Sequence, residues 1–202
     1  MAAAKDERVL VVQRSLFDEL GAFQGVTLDT EKYIPTLLHP ENYTFCARSS
    51  AEGDASLKQI IPYFIITHED RIWSYVRGKK SGEERLVAKA SIGIGGHIND
   101  EDADLFEDIY ERASERELTE EVVVPDGYTQ KIVALLNDDS NDVGKVHLGI
   151  IHIVRCPTPD VSKRESMITD GGFRTLDELR EMRESLETWS QLCVDSLDSL
   201  LA

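Results

Sequence analysis

A chain of 202 residues with 38 Asp and Glu against 22 Lys and Arg has a formal net charge of −16. That charge argues against a surface built to hold nucleic-acid phosphates. With 41% apolar and 30% charged residues, the composition reads as one soluble globular domain with a sizeable core. No apolar run reaches the ~18 residues of a membrane span, and Met1-Ala2-Ala3-Ala4-Lys5-Asp6-Glu7 lacks the apolar core of a secretory signal. Cys46, Cys156 and Cys193 are odd in number, widely spaced and without a CxxC pair. They point to a reducing cytoplasm rather than to a disulfide framework or a zinc site.

Taken in chain order, Val9 to Val12 reads as a short strand and Arg14 to Leu20 as a helical piece stopped by Gly21. Residues 25–43, with Gly25, Pro35 and Pro40, read as irregular, and Tyr43 to Ala47 as a strand. The run Gln59-Ile60-Ile61-Pro62-Tyr63-Phe64-Ile65-Ile66-Thr67 is a strong strand signal. With a turn at His68-Glu69-Asp70 and a second strand over Arg71 to Arg77, it predicts a hairpin. Gly78-Lys79-Lys80-Ser81-Gly82 is a loop, after which Ala88 to Ile94 returns as a strand running into Gly95-Gly96. Asn99 or Asp100 is the expected cap of an acidic helix that ends near Val122, and Leu105, Ile109 and Ala113 form its apolar stripe. Two further strands, Gln130 to Leu136 and Val146 to Val154, enclose a polar loop containing Asp138, Asp139 and Asp142. Leu176 to Leu201 is mostly helical, with a break near Thr188-Trp189-Ser190. Strands on both sides of one central helix, with helices at the C-terminal end, predict helical layers around a mixed sheet.

Arg116-Glu117-Leu118-Thr119-Glu120-Glu121 stands out chemically. At about 100° per residue its three carboxylates fall within an arc of roughly 100° on one helix face. Glu117 and Glu121 are a like-charge i,i+4 pair that costs about 0.2–0.5 kcal/mol. They also sit near the helix end where the dipole disfavours anions. No Lys or Arg follows within one turn, so compensation is expected from outside the helix, and a divalent cation with oxygen ligands is the natural candidate. The alternative is a solvated acidic face, common in chains this negative. Before the helix, Ser91-Ile92-Gly93-Ile94-Gly95-Gly96-His97 is a strand feeding a glycine pair. Such a pair either lets the backbone approach a ligand or simply makes a tight turn.

Together, Gly95-Gly96 and Arg116-Glu117-Leu118-x-Glu120-Glu121 resemble the Nudix box, G-x5-E-x7-R-E-U-x-E-E-x-G-U with U a bulky aliphatic. Gly172-Phe173 and the helix after it add to the likeness. Gln59-x-Ile61-Pro62-Tyr63 and the Ser91 to His97 segment resemble a bacterial subgroup classed as phosphoesterases. The resemblance covers roughly residues 45–190, leaving residues 1–44 as an N-terminal extension packed on a single Nudix-like domain. Arg116 follows Gly96 by 20 positions, about six more than the pattern provides. The pattern's first Glu falls at Asp108, with Glu107 and Glu111 as alternatives, and its late Gly is Val123.

The resemblance implies an α+β, Nudix-type α/β/α sandwich with a mixed β-sheet between helices. It further implies a hydrolase that uses Mg²⁺ or Mn²⁺ to cleave a phosphoanhydride in a nucleoside diphosphate linked to another group. Carried over to this chain, Glu117 and Glu121 would be the main metal ligands, and Glu120 a third ligand or the water-activating base. The Gly95 carbonyl would be a further ligand beside Gly96, and Arg116 a structural residue holding a helix carboxylate in place. Arg48, Arg77, Lys79 and Lys80 are weaker candidates for phosphate contacts, against the alternative of solvated charges. His97 could orient a ligand or be a hydrogen-bonded structural residue. Asp138, Asp139, Asp142 and Glu165 could supply an extra acid or base, or be plain surface. His147 and His152, five apart, do not share a strand face and so do not suggest a two-His metal site. Trp73, Tyr63 and Phe173 could stack on a base or simply pack. The expected partner is a small phosphorylated substrate, with no nucleic acid and no membrane, and pairing into a homodimer is compatible with the family.

Three other readings compete: a non-catalytic module that senses a nucleotide or sugar nucleotide, an isomerase acting on a prenyl diphosphate, and an acidic interaction protein. The intact Glu triad disfavours the sensor. Nothing places Cys46, the cysteine upstream of the box, where an isomerase would need it. Metal dependence would exclude the interaction protein.

Overall fold

The computed structural model describes residues 6–77, 89–102, 108–164 and 168–202. The chain begins with β1 (Arg8–Gln13), α1 (Arg14–Glu19), β2 (Gly25–Thr27), α2 (Thr30–Leu37), β3 (Tyr43–Ala47) and the single turn α3 (Arg48–Ala51). The hairpin β4 (Leu57–His68) and β5 (Arg71–Arg77) follows, then β6 (Ala90–Ser91), β7 (Gly93–Gly95) and α4 (Ile109–Glu121). The remainder is β8 (Val122–Val123), β9 (Thr129–Asn137), α5 (Asp142–Lys145), β10 (His147–Arg155), β11 (Ser162–Lys163), β12 (Ile168–Thr175), α6 (Leu176–Glu181) and α7 (Thr188–Leu200).

β4 is the spine of the sheet. Its apolar run has no alternation because both faces are covered, as expected for a central strand. The sheet runs β12-β5-β4-β10-β9-β2, with β1, β6 and β7 also pairing along β4 or β5, and β3 beyond β1. β10 pairs in parallel with β4 from His147↔Gln59 to Arg155↔Thr67, whereas the other pairings are antiparallel, so the sheet is mixed. Alternate β4 side chains feed different cores. Tyr63 and Ile65 pack with Leu179, Cys193, Val194 and Leu197 from α6 and α7. Ile60, Phe64 and Ile66 point the other way, toward Phe17, Tyr33, Leu37, Ala113 and Leu118 from α1, α2 and α4. The result is the expected helix–sheet–helix sandwich.

Residues 25–43 are more regular than their sequence suggests. β2 pairs with β9, and α2 forms with Pro35 inside it. Burial of Tyr33 and Leu37 against Phe17 outweighs the hydrogen bond that Pro35 removes. The strand expected over Ala88 to Ile94 is two pieces, because at Ile92 the chain changes partner: β6 pairs with β5, and β7 with β4. The expected cap is also displaced. Asp100–Asp102 make a 3₁₀ turn, and Asp108 caps α4 by accepting from Tyr110 N (2.8 Å) and Glu111 N (3.2 Å). Near the C-terminus the helical break precedes Thr188, which opens α7 together with Trp189 and Ser190. Leu105 lies outside the described residues.

Candidate functional site

β7 ends at Gly95, and α4 crosses the sheet face behind it. A β-carbon on Gly96 would overlap the Glu117 carboxylate, so the glycine is what lets that side chain lie directly against the backbone. Glu117 is buried, and this desolvation pushes its pKa up to about 7, opposed by Arg116. Glu120 is exposed and Glu121 half-buried on the same side of α4.

Arg116 organises the cluster. Its guanidinium donates to Glu117 Oε1 (2.6 Å) and Glu120 Oε2 (3.1 Å), to both oxygens of Asp102 (2.6 and 2.7 Å), and to the His97 carbonyl (3.0 Å). The charge compensation expected from outside the helix is therefore met in part by its own Arg116. Asp102 is itself buried and also accepts from Asn99 N (2.8 Å). Sequence reasoning missed Asp102. Its signal was an Asp in the stretch inserted between Gly96 and Arg116. Among the described residues, no three His, Cys, Asp or Glu side chains converge as a ready cation cage. The donor set of hard carboxylates beside a bare glycine backbone nevertheless fits a hard cation, and the buried Glu117 is the group such a charge would favour.

Behind the glycines, α7 clamps the strand. The Ser91 hydroxyl donates to Glu187 Oε1 (2.6 Å), Ile92 N donates to Ser190 Oγ (3.0 Å), and Glu187 N donates to the Ala90 carbonyl (2.9 Å).

The remaining candidates separate. His97 follows Gly96, and its ring meets that of His147 at 5.6 Å. Arg48 sits on α3 in ion pairs with Glu7 and Glu52 (both 2.9 Å). Arg77 ends β5, but its side chain, like Lys79, Lys80, Glu107 and Glu165, lies outside the described residues. Asp138 is buried and held by Gln24 and Asn141. Asp139 binds the fully buried Lys58 (2.8 Å) and Arg14 (2.9 Å), and Asp142 faces Lys145 (3.2 Å). These acids brace the loop between β9 and β10 instead of joining the Glu cluster. His152 is a core residue between the Tyr110 hydroxyl (2.6 Å) and Gln130 Nε2 (2.9 Å). Tyr63 and Trp73 are buried, and Phe173 packs edge-on against His68.

A mixed sheet between helices, with a glycine strand end under an acidic R-E-L-T-E-E helix, defines the Nudix class of protein. The chain is 37% identical to Protein YmaB of Bacillus subtilis over 202 residues, covering 96% of this chain and 98% of YmaB. A crystal structure of Tm1382, classed as a Nudix hydrolase, superposes with a TM-score of 0.77 at 28% identity, covering 95% of this chain and 98% of that one. The Nudix domain of Shewanella oneidensis NrtR, solved with ADP ribose, shares the fold alone, with a TM-score of 0.53 at 14% identity over 72% of this chain and 89% of that one. No family model matches the chain. The chain belongs to the Nudix hydrolase family.

Proposed function

We propose that this protein is a divalent-cation-dependent pyrophosphohydrolase, acting on a nucleoside diphosphate linked to another group. One observation carries the reading: a buried carboxylate, Glu117, lies against Gly96 with Glu120 and Glu121 on the same side of its helix. Hydrolysis of a phosphoanhydride requires its oxygens to be neutralised and a water to be deprotonated and aimed in line. Glu117 and Glu121 would hold Mg²⁺ or Mn²⁺ with the Gly95 carbonyl, and Glu120 would be a further ligand or the base that takes the water's proton. The ion would supply charge neutralisation and a more acidic water. Arg116 keeps Glu117 and Glu120 turned to one side, and Asp102 fixes Arg116 in turn. The NrtR domain, bound to ADP ribose, supports a nucleotide derivative as the substrate class.

The test is product release from nucleotide sugars, dinucleoside polyphosphates and nucleoside triphosphates with Mg²⁺, Mn²⁺ or EDTA. Wild type is compared with a folded Glu121→Gln variant. Turnover should vanish with EDTA and fall at least ~100-fold in the variant, the scale of a lost metal site. If every substrate stays intact while a nucleotide binds, the hydrolase reading gives way to a sensing module.

A further inference from the structure

A diphosphate brought against Glu117, Glu120 and Glu121 adds negative charge to negative charge, and a divalent cation offsets only part of the sum. Arg116 does not supply the difference. Its guanidinium has five N–H groups, and they go to both Asp102 oxygens, Glu117, Glu120 and the His97 carbonyl. Arg48 is engaged on α3 by Glu7 and Glu52 (both 2.9 Å).

Another pair of cations reaches the end of α4 from a distant segment. β11 pairs with β8 in the register Ser162↔Val123 and Lys163↔Val122, and the next step brings Arg164 opposite Glu121. Arg164 N donates to the Glu121 carbonyl (2.9 Å), which closes that step. A pair bonded in this way holds its α-carbons about 5.5 Å apart. Val161 packs beside Leu118, Val122 and Ile94, so the ladder is anchored on the same face of the sheet as α4. Opposite residues of an antiparallel ladder project to one side, and the register therefore turns Arg164 to the side of Glu121.

These cations lack the partners that others in the chain have. Arg14, Arg180 and Arg183 each hold a carboxylate at 2.7–2.8 Å, as expected where acids outnumber bases 38 to 22. Lys163 and Arg164 are exposed, and among the described residues neither forms an ion pair or a side-chain hydrogen bond. An uncommitted guanidinium beside a carboxylate cluster suits a phosphate. Its planar fork matches two non-bridging oxygens at once, whereas an ammonium offers a point charge. The competing role is local, since a cation at a helix C-terminus also offsets the dipole of α4.

We propose that Arg164 binds the diphosphate of the substrate, clamping oxygens that a cation at Glu117 and Glu121 does not hold, with Lys163 adding charge beside it. The anion is then gripped from two sides, by α4 through the metal and by β11 directly. A ligand with two adjacent phosphates satisfies both grips, and a single phosphate only one, so the pair selects a diphosphate over a monophosphate. The assignment rests on the pyrophosphohydrolase reading for the identity of the ligand, but the contact itself needs no turnover.

The test titrates imidodiphosphate, whose P–N–P bridge resists hydrolysis, and inorganic phosphate into protein with saturating Mg²⁺, read by calorimetry. Wild type should bind imidodiphosphate at least about tenfold tighter than phosphate. Arg164→Ala should weaken imidodiphosphate at least about tenfold, the scale of lost charge-assisted hydrogen bonds, and shrink that preference. Arg164→Lys should recover part of the affinity, because the charge returns without the fork. Arg155→Ala, at an exposed arginine that donates to the Leu201 carbonyl (3.2 Å), should leave binding unchanged. The proposal is overturned if imidodiphosphate does not bind wild type, if Arg164→Ala binds it as tightly, or if Arg155→Ala weakens it as much. A lowered melting temperature in Arg164→Ala with the affinity kept also overturns it, and leaves the arginine a cap of α4. Binding that behaves as expected in a protein hydrolysing none of the nucleotide panel would sink the hydrolase reading and leave Arg164 standing. Nucleotide turnover whose KM is untouched by Arg164→Ala does the reverse.

Discussion

Because a methyl on Gly96 would overlap the Glu117 carboxylate, Gly96→Ala must turn that side chain away, and the end of a flexible Glu can move cheaply. The expected outcome is a melting temperature within a few degrees of wild type, with turnover reduced by ~10–100-fold, as for other changes that disorient a metal ligand. Thermal unfolding beside steady-state kinetics checks both halves; loss of stability without loss of turnover contradicts the assignment. His152 makes a different prediction. Burial between Tyr110 and Gln130 holds it down to about 4 from 6.5. The unfolded chain takes up its proton near pH 6.5, whereas the folded one refuses it until about pH 4. Stability should therefore be full above 6.5, fall as pH drops through that window, and level off below it. The total is on the order of 3 kcal/mol for this residue. His97, held to about 3, adds in the same direction. Glu117, raised to about 7, works in the opposite direction over the same range. The comparison therefore belongs in a Glu117→Gln background, where the urea midpoint between pH ~6.5 and ~5 reports the histidines; a flat midpoint there contradicts their burial.

At the scale of elements, α4 carries the Glu cluster, and Asp108 determines where it starts. Asp108→Ala should cost about 1 kcal/mol, as N-cap deletions do, and lower the melting temperature by about 2–4 °C. An unchanged melting curve would show that the cap contributes nothing. Asn99 and Asp100 carry side chains equally suited to capping, so local chemistry could not choose among the three. In the structure Asp102 ties the 3₁₀ turn at 100–102 to Arg116 on α4, and Asp108 is the residue that caps the helix. β4, β5, β9 and β10 were legible because long apolar runs leave one way to bury them. α2 was not, because Pro35 is a breaker by every local rule and only packing against Phe17 overrides it.

For the molecule as a whole, residues 6–44 contribute more than a covering. β1 pairs along β4 at Gln59, β2 closes the edge beside β9, and Leu10, Val12, Phe17, Tyr33 and Leu37 line one of the two main cores. Deleting residues 1–44 should expose that core and the β4 edge together, giving an insoluble chain or one without a cooperative unfolding transition. A truncated protein that melts cooperatively near the wild-type temperature would show that these residues are a detachable extension.

The sequence by itself determined the layers and marked the box, because apolar periodicity and a like-charge Glu cluster after Gly-Gly are local signals that survive without coordinates. Tertiary structure alone decided which distant groups answer them. Asp102 is the partner of Arg116, and Lys58 binds Asp139 of the loop between β9 and β10. Arg164 comes from a separate segment, yet its amide meets the Glu121 carbonyl at the end of α4. Such pairings depend on strand register and on which face each side chain takes, and these are set by packing between segments far apart in the chain.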